Sequence, residues 1–257
     1  MSTVVLTTNN HIATLTIDSP PANALSSTLI KDVSTQLDAI ANDAAIKAVI
    51  LKGEGRFFSA GADIKEFTAL QNADDFSALA KNGQDVFHKM ATYHIPIIAA
   101  IHGAALGGGL ELAMACHIRI VSETAKLGLP ELTLGIIPGF AGTQRLPQLV
   151  GNAKAYELIL TGEPISGKDA ALYGLANQAV KEEELFSTVE QLAEKISAKS
   201  KPTITKIMEL VPYATYHSFE AGVEAEASAF GDVFGNEDAK EGIAAFVEKR
   251  QANFQDK

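Results

Sequence analysis

The chain has 257 residues, 47% hydrophobic and 20% charged, enough apolar material to bury a substantial core without disulfides. A formal net charge of −10 disfavours sequence-independent binding to nucleic acid, which needs a basic face, but leaves room for a local cluster around a small anionic ligand. No stretch approaches ~18 uninterrupted apolar residues, so no membrane-spanning segment is expected.

Met1-Ser2-Thr3-Val4-Val5 runs straight into strand-like sequence rather than a targeting segment. Val4 to Thr8 and Ile12 to Ile17 read as strands joined by a turn at Asn9-Asn10. Pro20-Pro21 breaks the chain, and Ser26 can cap a helix from about Ser27 to Ala41, where Leu29, Ile30, Val33, Leu37 and Ile40 recur at helical spacing. Ala48 to Leu51 reads as a strand buried on both faces, followed by a loop from Gly53 to Asp63. The rhythm repeats with a helix from about Asp75 to Ala91, a strand Ile97 to Ile101, a loop and helix from near Gly107, and a strand Ile118 to Val121. Cys116, the single cysteine, lies among apolar neighbours. It reads as a buried thiol in a reducing, cytoplasmic setting.

Helices follow around Ala153–Thr161 and Lys168–Tyr173, then a short strand near Gln178–Val180 and a helix from Glu184 to Ala198. This alternation predicts a mainly parallel sheet. Beyond about Lys199 the pattern is helical only, at Thr203–Leu210, Phe219–Phe230 and Glu237–Phe254. A two-part chain is therefore expected: an α/β core over residues 1–198 and a helical region over 199–257.

Three segments can carry chemistry. Phe58-Ser59-Ala60-Gly61-Ala62-Asp63 follows a strand at the edge where open α/β sheets gather ligands, and its small residues let a ligand reach backbone N–H groups; the same residues would also make an ordinary tight turn. Gly103 to Glu111 again follows a strand and opens a helix, whose free N–H groups and dipole favour developing negative charge. The run lacks the G-x-G-x-x-G dinucleotide pattern and the lysine of a phosphate loop, which leaves an oxyanion-binding turn. Glu111, three residues past Gly108, falls on roughly the same helix face. It can move protons beside a polarised carbonyl, or simply answer the helix dipole. In Leu129-Pro130-Glu131-Leu132, the apolar flanks of Glu131 desolvate it and raise its pKa, unless it is a surface loop carboxylate. There is no G-x-S-x-G elbow and no H-E-x-x-H. The six histidines show no metal-ligand spacing, and His102, the one near these segments, reads as structural.

Taken together with Pro20-Pro21-Ala22-Asn23-Ala24-Leu25, Pro130 to Leu146 and the tail Phe234 to Arg250, these segments resemble the crotonase superfamily, and most closely its enoyl-CoA hydratases. The resemblance spans nearly the whole chain. It implies a crotonase-like core of repeated ββα turns wound into a spiral, with a helical C-terminal region that builds homotrimers, commonly paired into hexamers. It further implies an oxyanion hole from the N–H groups of Ala62 and Gly108, and catalytic carboxylates at Glu111 and Glu131. Substrate contacts are implied at Ala60, Asp63, Ile64 and Lys65 along the coenzyme A site, with Lys65 near a phosphate, and at Gly139 in an enclosing loop. Phe230 and Lys249 are implied to reach a neighbouring subunit's ligand. The substrate is then an acyl-CoA thioester, hydrated across its 2,3 double bond with no metal or redox cofactor.

Two departures from the family pattern stand out. His117 replaces a frequent aspartate, and Pro20-Pro21-Ala22 lacks a basic residue common there. A Δ3,Δ2-enoyl-CoA isomerase, a hydratase for branched or substituted acyl groups and a silent acyl-CoA-binding subunit are the alternatives. Glu111 beside Glu131 favours hydration over isomerisation, which needs one carboxylate.

Overall fold

The structure is a computed structural model that describes residues 3–68 and 72–257. The chain opens with β1 (Val4–Asn9) and β2 (Ile12–Ile17), antiparallel about Asn10 and His11, both at positive φ as a tight hairpin turn requires. Helix α1 (Ser27–Ala41) begins where the Ser26 hydroxyl accepts from Leu29 N–H, and it buries Leu29, Ile30, Val33, Leu37 and Ile40, the stripe expected from the sequence. Then come β3 (Ala48–Gly53), the short α2 (Ile64–Phe67) and α3 (Ala73–Ala91), whose cap is Asn72. They lead to β4 (Ile97–Ile101), β5 (Ala104–Leu106), α4 (Gly108–Ala115), β6 (Ile118–Ser122) and β7 (Lys126–Gly128). A 3-10 turn at Glu131–Leu134 precedes α5 (Gly142–Val150), α6 (Asn152–Thr161), β8 (Ile165–Ser166), α7 (Gly167–Leu172) and β9 (Gln178–Val180). Helices alone finish the chain: α8 (Leu185–Ser197), α9 (Lys201–Leu210), α10 (Tyr213–Tyr216), α11 (Phe219–Phe234) and α12 (Glu237–Glu248).

Six strands form the main sheet in the order β1-β2-β3-β4-β6-β9, parallel from β2 onward, as the alternation predicted. A second, small sheet runs β5-β7-β8. Isolated bridges Ser59–Ala105 and Leu25–Ala62 continue that small layer across the earlier turns. Each turn of the chain thus lays one strand in the main sheet and one short rung in the small layer before its helix, the ββα spiral. Strand alternation divides the interior: Val49 and Leu51 face α1, α3 and α4, whereas Ala48 and Ile50 face α8 through Leu185, Val189 and Ala193.

Several elements depart from the sequence expectations. The rung β5 lies in a stretch expected to be loop, and β7, β8 and the helix α5 have no counterpart among the expected elements. Helix α12 stops at Glu248, not Phe254. Lys249 there turns left-handed, and the chain continues without regular structure while the Asp238 carboxylate accepts from Gln255 and Asp256 N–H. The expected boundary at 198/199 falls in the turn between α8 and α9. Among the described residues no helix is long and apolar enough to cross a membrane.

Asn23 locks the first rung to the loop after β3. Buried and left-handed (φ 53°), it donates from Nδ2 to the carbonyls of Glu54 (2.9 Å) and Phe57 (2.7 Å) and accepts from Ser19 N–H at Oδ1 (3.0 Å). Asn23→Ala leaves these buried groups without partners, so a stability loss of about 3 kcal/mol is expected in urea unfolding. A loss under about 1 kcal/mol would mean that the two carbonyls find other donors.

Candidate active site

The loop that leaves β3 is held on both sides. Phe58 is fully buried, the Ser59 hydroxyl donates to the Asn23 carbonyl, and Leu25 brackets Ala62 by donating to Gly61 O and accepting from Asp63 N–H. In a parallel bridge this pattern uses the backbone on either side of Ala62 and turns the Ala62 N–H away from Leu25. Gly61, at φ 110°, packs against the next turn: a Cβ there would lie 2.9 Å from Leu106 O and 3.8 Å from Gly108 N. Only glycine permits both the dihedral and the approach.

That next turn is Gly107-Gly108. Gly107 (φ 51°, ψ −127°) donates to Gly128 O, and Gly108 opens α4, where the first N–H groups have no helical acceptor. All eight residues of α4 are buried, including Glu111, which is 1% exposed. Its carboxylate reaches the loop before α5: Oε1 accepts from Phe140 N–H (2.8 Å) and Gly142 N–H (2.6 Å), at the N-terminus of that helix. Burial pushes the Glu111 pKa up to about 7, against the pull of the Gly142 and Phe140 donors, and the neighbouring Glu131 carboxyl raises it further.

Glu131 starts the 3-10 turn and is also buried, which raises its pKa as its apolar flanks predicted. Its Oε1 lies where a Cβ on Gly107 would come within 3.0 Å, and its Oε2 has no hydrogen-bond partner among the described residues. Both carboxylates face one cavity of about 590 Å³. Ala60, Ala62, Ile64 and Gly108 line it from the two glycine turns, and Gly139 lines it from the loop before α5. Sequence reading missed the α3 wall of Phe76, Leu79 and Ala80, the rim at Ile136 and Ile137, and Phe140. An apolar helix face reads only as core, so α3 gave no separate signal.

Other expected residues lie elsewhere. Asp63 caps α2 by accepting from Lys65 N–H, and Lys65 is exposed nearby. Phe230 and Lys249 are exposed on the C-terminal helices, away from the cavity, with Phe230 in a separate apolar groove. His102 donates to Gly55 O and His117 accepts from Ile97 N–H, both structural contacts. Cys116 is buried, its thiol pushed up to about 12. Among the described residues no cluster of His, Cys, Asp or Glu could hold a metal ion.

A family model described as enoyl-CoA hydratase/isomerase matches residues 7–257. The chain belongs to that family. It is 55% identical over 255 residues to a probable enoyl-CoA hydratase of Bacillus subtilis, covering 99% of both proteins. It is 38% identical to a short-chain-enoyl-CoA hydratase of Clostridium acetobutylicum, covering 98% of this chain and 97% of that one. The crystal structure of an enoyl-CoA hydratase from Bacillus anthracis superposes with a TM-score of 0.94 at 35% identity, covering 99% of this chain and 100% of that one. The chain is thus an enzyme of the hydratase type with the crotonase fold.

In this family member the two buried carboxyls are electrostatically linked, so removing one charge must move the other's titration. Carboxyl carbon-13 NMR is expected to show Glu111 titrating near 7, and Glu131→Gln is expected to lower that midpoint. An unmoved midpoint would place the two groups too far apart to share a proton-transfer task.

Proposed function

We propose that the enzyme adds water across the 2,3 double bond of a trans-2-enoyl-CoA, giving the 3-hydroxyacyl-CoA. The observation that carries this reading is the burial of two carboxyls, Glu111 and Glu131, on one apolar cavity beside the Gly61-Ala62 and Gly107-Gly108 turns. Two buried carboxyls are costly to fold around, and isomerisation requires only one.

In the proposed reaction the Ala62 and Gly108 N–H groups receive the thioester oxygen and stabilise its enolate character, each donor contributing about 3 kcal/mol to the transition state. Ionised Glu111 takes a proton from a water held between the carboxyls as its oxygen bonds to C3. Protonated Glu131 gives its proton to C2. The pair ends with the proton on the other carboxyl, and exchange with solvent resets it. With both pKa values raised, the coupled pair can share one proton near neutrality, and the scheme draws on the form that carries it on Glu131 with Glu111 ionised. Protons and charge are handled entirely by these groups, so the scheme calls for no metal or redox cofactor.

The coenzyme A portion runs past Ala60 to Lys65, where exposed Lys65 meets a phosphate. Phe230 and Lys249 reach a neighbouring copy's ligand in a homotrimer or a hexamer of two trimers. The exposed Phe219, Phe230 and Phe246 of α11 and α12 support such an assembly, since single chains rarely leave so much aromatic surface in water.

Crotonyl-CoA is the direct test. Loss of its conjugated thioester absorbance with formation of 3-hydroxybutyryl-CoA is expected, with the acid limb of kcat/KM near 7 because Glu111 must be ionised. Activity falls as pH drops through that value. Glu111→Gln and Glu131→Gln should each lower kcat by about 10²–10⁴-fold with binding retained. Conversion of 3-enoyl to 2-enoyl substrates without hydration would establish the isomerase instead, and tight binding without turnover a silent subunit.

A further inference from the structure

The base assigned above depends on a loop from outside its own helix, and that loop is gripped by α3. Gln84 of α3 donates from Nε2 to the Gly139 carbonyl at 2.9 Å. The Gly139 carbonyl and the Phe140 N–H are the two ends of one peptide group, and the Phe140 N–H donates to Glu111 Oε1 at 2.8 Å. The side-chain amide, the peptide and the carboxylate therefore form one chain of hydrogen bonds. A donor on a peptide carbonyl polarises the group and strengthens its N–H as a donor.

The neighbouring residues of α3 fix the same segment sterically. The Phe140 ring occupies the notch left by Gly83, where a Cβ would lie 2.4 Å from the ring, and it meets Phe87 edge-on at 5.4 Å between centroids. On its far side Arg145 of α5 donates to the Phe140 carbonyl at 3.0 Å. The charged groups that act on Glu111 are Glu131 from the 3-10 turn and Arg145 from α5, whereas α4 carries no other charge and α3 contributes the neutral Gln84.

We propose that Gln84 is a positioning residue for Glu111, orienting and polarising the 139–140 peptide so that the carboxylate is held ionised toward the attacking water. This rests on the reading of Glu111 as the base. Gln84 touches no reacting atom in this role; it acts through the peptide.

Gln84→Leu and Gln84→Met remove the donor while keeping the bulk. Each is expected to lower kcat roughly tenfold with KM within about twofold. A weaker Phe140 donor stabilises the carboxylate less, so the acid limb and the Glu111 carbon-13 midpoint move up in pH, by about half a unit. The decisive comparison is the Glu111→Gln background, where Gln84→Leu should cost no more than about twofold because the group it serves has gone. The methionine variant, closest in shape to glutamine, carries the test if the leucine variant folds poorly. In both, thermal unfolding should stay near wild type. An unchanged kcat and pH limb in Gln84→Met, or the same cost with and without Glu111, would overturn the proposal. Full activity of Glu111→Gln itself would instead overturn the reading of Glu111 as base.

Discussion

Glu111 belongs to a helix with no exposed face, and its carboxylate finds its partners on another part of the chain, at Phe140 and Gly142. A carboxylate so deeply buried is tolerated only if its lone pairs are satisfied, and backbone N–H groups at a helix start do this without supplying a neutralising cation. The consequence spreads outward. Ala141 is bent into the left-handed region (φ 73°), and Gly142 has no side chain because a Cβ there would lie 2.8 Å from Glu111 Oε1. The N-terminus of α5 must stop where the carboxylate ends.

The spiral makes such a meeting possible. Each turn sets one rung in the small layer, so Leu25, Ala62 and Ser59, and then Ala105, come side by side although they are distant in sequence. Glycine at 61 and 107 lets successive turns close to backbone contact, and Gly109 fits against Ser59 O, where a Cβ would lie at 2.4 Å. The site is thus built mainly from backbone on the small layer, while the main sheet and α8 provide a rigid support behind it.

Much of this was legible because it was local. The stripe of α1, the both-face burial of β3 and the glycine run before Glu111 each lie within a short window. The apolar flanks of Glu131 announced its raised pKa. What escaped notice was either short or distant. The rungs β5, β7 and β8 are three residues or fewer, below the length at which alternation is visible. Helix α5 contains Pro147 and begins among glycines, so its propensity argues for loop; tertiary packing overrides it. The overextended α12 follows from an apolar period that continues past Lys249, where capture of the tail by Asp238 takes over. The bond from Phe140 to Glu111 spans 29 residues, and no window of sequence contains it.

Holding Glu111 in this way has a thermodynamic sign. Its folded pKa, about 7 against an ordinary 4.5, lies above that of the unfolded chain, so the unfolded state gives up its proton first as pH rises. Ionisation of the carboxyl therefore adds no cost below about 4.5, weighs progressively against folding between there and 7, and reaches its full cost, of order 3 kcal/mol, above 7. A well-packed apolar side chain at position 111 would avoid that cost. The proposed chemistry explains why a carboxylate stands there instead: a base with a pKa near neutrality accepts a proton from water far more readily than a solvated glutamate would, and the burial that raises the pKa is the burial that destabilises the ionised fold. The Phe140 and Gly142 donors set the compromise. They keep the group ionisable at neutral pH, and they bind its ionised form in one orientation.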